Sequence, residues 1–158
     1  MEEKIVLNHK HDHDACIETA LESAQKICEE RETRFTPLRQ RVLELVWSKH
    51  EPITAYEVLE LLSKGQKKVA PPTVYRALDF LIAEGFVHRI ESLNSFVGCS
   101  DPAHKHQGHF MICTKCRNVT EMNESSLHNV IENAAKENGY SYENSILEIA
   151  GVCENCRN

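Results

Sequence analysis

Apolar positions recur along this chain first at helical spacing and then, briefly, in alternation. Ile17, Ala20, Leu21, Ala24, Ile27 and Cys28 fall three or four residues apart and predict an amphipathic helix ending near Arg31. Cys28 lies on the apolar face and is read as a small core residue. Cys16 lies off that face and acquires no role. Thr36-Pro37 has the form of a helix start, a hydroxyl cap followed by a residue whose missing N–H costs nothing there. Leu38, Val42, Leu45 and Val46 supply the buried stripe of that second helix, and Arg39 and Arg41 point elsewhere. Glu51-Pro52 interrupts the pattern. Thr54-Ala-Tyr-Glu57 has the spacing of a capping box and opens a third helix with Val58, Leu59, Leu61 and Leu62 inward. Residues 63–70 form a flexible basic loop. Pro71-Pro72-Thr73 begins a fourth helix with Val74, Ala77, Leu78, Leu81 and Ile82 inward, and Gly85 is placed to end it in the left-handed conformation. Residues 86–91 and 95–99 then predict two short strands around a turn at 92–95.

Short helices followed by a two-stranded hairpin make the pattern of a winged helix-turn-helix, with the fourth helix as its reading element. The outward residues of that helix, Thr73, Tyr75, Arg76 and Asp79, suit contact with nucleic acid. Arginine can donate two hydrogen bonds to guanine, and the hydroxyls reach phosphates or bases. The helix start itself favours a phosphate. A plain amphipathic surface helix would show the same periodicity. From residue 108 the pattern changes: His109–Cys113 and Val119–Met122 predict strands. Leu127, Val130, Ile131, Ala134 and Ala135 predict a helix ending near Gly139, and residues 142–149 predict a final strand. The fold class is therefore α+β: an N-terminal winged helix-turn-helix domain and a small C-terminal α/β unit. That unit has few apolar residues and needs a metal and a partner subunit to be stable. The divisions are a flexible His-containing N-terminus (1–14), a DNA-binding domain (15–98), a metal loop or hinge (99–107) and a dimerisation domain (108–158).

Charge modifies this picture. The whole chain is net −6, which seems wrong for a nucleic-acid binder, but residues 31–89 carry ten Lys/Arg against seven Asp/Glu and are net +3. The remainder is therefore −9, so any phosphate contact belongs to the first domain. No apolar run approaches the roughly 20 residues of a membrane span, and the charged N-terminus does not look like a signal peptide. A cytoplasmic location is expected. Seven cysteines, an odd number, argue against a closed disulfide framework and for metal binding.

Cys113-x-x-Cys116 and Cys153-x-x-Cys156 can place four thiolates around one ion, the arrangement of a closed structural zinc site. A second group is less regular: His88, Cys99, His104, His106, His109 and Glu121. One cysteine with several histidines and a carboxylate suits zinc and argues against magnesium or calcium, but spacing does not choose the ligands. His9, His11 and His13 could make a metal-catching tail or a frayed terminus. A zinc deaminase would need His-x-Glu with Pro-Cys-x-x-Cys; neither occurs, and no enzyme is expected.

Several stretches together resemble the ferric uptake regulator superfamily: Arg34-Phe-Thr-Pro-Leu-Arg-Gln-Arg41, Pro71-Pro-Thr-Val-Tyr-Arg-Ala-Leu78 and the two Cys pairs. Gly85-Phe-Val-His88, Ser95-Phe-Val and Cys99 look like its zinc uptake branch. The resemblance runs from about residue 17 to 156. It implies a homodimeric repressor of zinc-uptake genes that binds double-stranded operator DNA with zinc as corepressor, with no membrane partner and no small-molecule substrate. It implies two zinc ions per chain, one structural at the four cysteines and one regulatory at His88, Cys99, His106 and Glu121, with His104 or His109 as substitutes for His106. The His run that many members carry before the first Cys pair is spread out here into His104, His106 and His109, a departure that puts in doubt any further metal site built from that run. Family DNA contacts correspond to Tyr56 and Arg76. An iron or peroxide sensor, or a zinc-buffering or protein-binding ribbon protein, are the rival readings.

Overall fold

The computed structural model describes residues 13–49, 51–64, 68–104, 106–122 and 124–157. The expectations for a free tail bearing His9 and His11, and for the centre of the 63–70 loop, lie outside the described residues. The chain divides after residue 105 into two compact units.

The first unit holds α1 (His13–Glu30), α2 (Pro37–Trp47), α3 (Ala55–Ser63), α4 (Pro71–Ala83), β1 (Val87–Ile90) and β2 (Ser95–Gly98). The helix starts follow from local chemistry. Thr36 accepts from the Arg39 N–H, and the Thr54–Glu57 capping box is complete, with Glu57 accepting from the Thr54 N–H at 2.8 Å. Gly85 stands at φ +81°, where a side chain would be strained, and ends α4 as expected. The core gathers Ala24 and Cys28 of α1, Val42, Leu43 and Val46 of α2, Val58 of α3, and Val74, Leu78 and Leu81 of α4. Phe86, Val87 and Phe96 close it from the hairpin. Burial of a large aliphatic or aromatic side chain contributes about 1.5–3 kcal/mol. Leu38, Leu59, Leu61, Leu62 and Ile82, expected inside, are only partly covered. Leu43, left off the expected stripe, is buried because α2 packs against both α1 and α4 and so hides a wider arc.

The hairpin is antiparallel, His88 opposite Val97, and its turn is a short 3-10 segment, Glu91–Leu93, closed by Asn94 in the left-handed region. Each strand is shorter than expected by the residues that enter the turn or lead out of β2. Ile53, just after the Glu51-Pro52 break, exchanges two backbone hydrogen bonds with Phe96, at 3.0 and 2.8 Å. That bridge stitches the hairpin to the connection between α2 and α3.

In the second unit β3 (His109–Cys113) lies between β4 (Val119–Met122), antiparallel, and β5 (Leu147–Gly151), parallel. Helices α5 (Ser125–Glu137) and α6 (Glu154–Arg157) complete it. The last strand begins at Leu147, not at residue 142. The Ser145 N–H donates to the Gln107 side chain at 2.9 Å instead of to a neighbouring strand. Among the described residues α5 buries no side chain fully.

Candidate metal centres and nucleic-acid interface

β3 and β5 run parallel with Cys113 opposite Gly151, which brings the ends of both strands to one place. Cys113 ends β3 and Cys116 lies in the following turn, where Arg117 takes φ +60°. Cys153 leaves β5 and Cys156 sits in α6. The Thr114 N–H donates to the Gly151 carbonyl at 2.7 Å, and Lys115 Nζ to the Cys156 carbonyl at 2.8 Å, clamping the two turns together. One sulfur from each cysteine then lies within 4.8 Å of the others. Their acidities separate sharply. Backbone N–H groups of Cys116 and Cys153 pull Cys113 down to about 6. A backbone hydrogen bond from Asn118 lowers Cys116, but its thiol neighbours, Cys113 first, outweigh it and leave Cys116 raised. Hydrogen bonding to the Cys153 and Cys116 sulfurs pushes Cys156 up to about 12. A set of four sulfurs alone fits a soft tetrahedral ion such as zinc.

The mixed donor group consists of a pair in each unit. In the first, His88 sits mid-way along β1 and Cys99 follows β2, its N–H donating to the Phe86 carbonyl at 2.9 Å. The hairpin ladder thus places both, and Cys99 is only 4% exposed. In the second, His106 Nε2 lies 2.7 Å from Glu121 Oε1, both half-buried, with Glu121 held on β4. The two other loop histidines have separate partners. His104 Nδ1 lies 2.9 Å from Asp101 at the surface. His109, 3% exposed, lies 2.9 Å from Ser145 Oγ, and burial, with His128 nearby, lowers its pKa. The chemistry of an imidazole–thiol pair and an imidazole–carboxylate pair fits zinc.

On the first unit, Tyr75 is 53% and Tyr56 68% exposed, Arg76 and Asp79 are exposed and Thr73 is half-buried. The helix carrying four of them is held from behind. Arg31 Nη1 donates to the Glu84 carbonyl at 2.8 Å and pairs with its carboxylate at 3.0 Å, at the helix end where a cation is favoured. The Arg39 guanidinium lies 3.5 Å over the Phe80 ring and donates to the Arg34 carbonyl. Arg41 pairs with Glu44 at 2.6 Å. The N-terminus of α4 offers an anion less than expected: its first two residues are prolines, and the Thr73 N–H is used by the Ala70 carbonyl at 3.0 Å.

The family model described as "Ferric uptake regulator family" matches residues 30–150. The chain belongs to the ferric uptake regulator family. It is 38% identical over 139 residues to the zinc uptake regulation protein of Escherichia coli (strain K12), covering 86% of this chain and 80% of that one. Its fold is similar to a solved zinc uptake regulator complexed with zinc and DNA. That match has a TM-score of 0.85 and 37% identity, over 89% of this chain and 95% of the other. The holo XcZur crystal structure is similar too, with a TM-score of 0.82 and 38% identity, covering 88% and 97%. The expected likeness to the zinc uptake branch is borne out, as is the winged-helix plus α/β architecture.

Within this ferric uptake regulator fold, sequence reasoning passed over three supports of the site. Trp47 packs so close to Gly98, the residue before Cys99, that a Cβ there would fall 2.2 Å from the indole. Arg39 backs the fourth helix through Phe80, a pairing between residues too far apart in sequence to signal itself. Gln107 anchors residues 142–145 and had no motif to mark it; its one signal is its place beside His106.

Proposed function

We propose that this chain is a zinc-responsive, DNA-binding repressor of zinc-uptake genes, active as a homodimer in the cytoplasm, with zinc as corepressor. It is a regulator and not an enzyme. The observation that carries the choice of zinc is the buried thiol of Cys99 beside the His88 strand: a thiolate ligand favours zinc over the oxygen-loving divalent ions and weakens the case for iron. The likeness to proteins named for zinc uptake, one of them solved with zinc and DNA, supports the same reading.

In this reading there are two zinc ions per chain. Cys113, Cys116, Cys153 and Cys156 hold the structural one, and four thiolates leave no coordination position for a substrate. His88, Cys99, His106 and Glu121 hold the regulatory one, with residues 99–107 as the hinge between a DNA-binding domain (15–98) and a dimerisation domain (108–158). A zinc ion held by these four side chains would tie them to one centre. Tying the ligands selects the arrangement of the two winged helices in the dimer that fits successive major grooves. Arg76 donates to a guanine, and Thr73, Tyr75 and Tyr56 contact phosphates or bases. The dimer is supported by the apolar surface left on the second unit: Met111 and Ile149 are cross-strand partners 45% and 43% exposed, and Val130 and Ile146 are 65% and 68% exposed.

The test is a DNA-binding titration in buffered free zinc and, in parallel, in ferrous iron under anaerobic conditions. Operator binding should rise with zinc at concentrations far below those at which iron acts. Equal binding in both metals would assign the chain to the iron- or peroxide-sensing readings instead; the absence of any salt-dependent DNA shift would favour a zinc-buffering role.

A further inference from the structure

We infer that Gln107 is a positioning residue for the regulatory metal site, a clasp that presents His106 by anchoring the chain segment next to it. This rests on the assignment of His106 as a zinc ligand proposed above. Residues 106–108 precede β3 and take part in no strand, so no ladder of backbone hydrogen bonds fixes them. Gln107 supplies the missing anchor. Its Oε1 accepts from the Tyr142 hydroxyl, from the Ser145 N–H at 2.9 Å and from the Ser145 hydroxyl at 2.8 Å, and its Nε2 donates to the Glu143 carbonyl at 3.4 Å.

Ser145 Oγ also accepts from the Tyr142 hydroxyl at 3.1 Å and lies 2.9 Å from His109 Nε2, which ties the first residue of β3 into the same cluster. The ring of His128 meets that of Tyr142 edge-on at 5.5 Å and walls the cluster from the α5 side. Gln107 is half-buried, and three donors converge on one oxygen. This is far more than a solvent-facing glutamine needs, and it reaches from residue 107 to residues 142–145.

His106 is the residue before, and it lies 2.7 Å from Glu121. A side chain fixed at 107 leaves the His106 backbone few conformations, so the imidazole is presented to the ion with its ordering already done. Groups that orient a metal ligand without touching the metal commonly alter affinity by ten- to hundredfold. Gln107 acts through one backbone step, so the lower end applies.

The experiment uses the full chain as zinc-loaded dimer. Zinc is withdrawn from the weaker site by competition with a fluorescent chelator, and cobalt(II) substitution at that site is followed by its visible absorption. Gln107→Leu should weaken the regulatory zinc by roughly tenfold and reduce the tetrahedral cobalt bands. The four-cysteine zinc should be unchanged. Gln107→Glu keeps the acceptor for the three donors but loses the donation to the Glu143 carbonyl, and should restore most of the affinity that Gln107→Leu loses. Tyr142→Phe, which removes one donor and changes no proposed ligand, should weaken the regulatory zinc measurably and carries the test if Gln107→Leu does not fold. Wild-type affinity in Gln107→Leu, with the weaker site abolished in Cys99→Ser, would overturn the clasp and leave the zinc assignment standing. Parallel loss of both zinc ions would also overturn it, as a general structural role. Retention of the weaker zinc in Cys99→Ser would instead remove the assignment on which the clasp depends.

Discussion

Gly98 owes its identity to Trp47, the one tryptophan in the chain, whose indole fills the space a side chain would need. Because Cys99 follows directly, this contact seats a proposed metal ligand as well as the end of the hairpin. Gly98→Ala must displace the indole, and overpacking of this kind costs about 1–3 kcal/mol. Urea unfolding should show that loss with a shifted tryptophan emission; unchanged stability and emission would mean that the ring has room to give. Arg76 stands differently, exposed on the fourth helix. Arg76→Ala should leave folding alone and cost roughly 1–3 kcal/mol at one base position of the operator. An equal loss on random DNA would reduce its role to phosphate contact. Side chains such as these were legible to different degrees. Arg76 announces itself by helical periodicity, whereas Trp47 and Gly98 meet only because α2 and β2 pack together, a long-range fact that no local pattern carries.

At the level of elements, helix starts and stops were the most legible features, because their chemistry is local. Thr36, the Thr54–Glu57 box and Gly85 each act within a few residues of where they stand. The last strand was less so: it was expected from residue 142, but hydrogen bonds to the Gln107 side chain hold 142–145 out of the sheet. The Ile53–Phe96 bridge was hidden for the same reason, since its partner lies across the fold. That 142–145 cluster also gives the second unit a pH dependence. Burial lowers the His109 pKa from its ordinary 6.5, so the folded state holds fewer protons there than the unfolded chain. Its contribution is complete above pH 6.5 and is lost as pH falls through the lowered folded value. The thermal midpoint should therefore drop on acidification below 6.5, and His109→Gln should flatten that part of the profile. Identical profiles for the two proteins would place the acid sensitivity elsewhere.

For the whole molecule, the proposed function assigns DNA reading to the first unit, a structural ion and the dimer contact to the second, and zinc sensing to His88, Cys99, His106 and Glu121. The four-cysteine centre was legible because two Cys-x-x-Cys pairs are specific, and the structure gathers their sulfurs. The sensing ligands were less so, because His104, His106 and His109 are equivalent to any spacing argument. They differ in partners, Asp101, Glu121 and Ser145 in turn, which the sequence does not show. The central claim is that occupancy of the sensing ligands governs DNA binding. It is tested most directly by titrating operator binding against buffered free zinc for the wild-type chain and for Cys99→Ser, with zinc content measured alongside. The account predicts zinc-dependent binding in the wild type, and a variant that keeps its four-cysteine zinc but no longer responds. A Cys99→Ser variant that binds operator with the wild-type zinc dependence would contradict it.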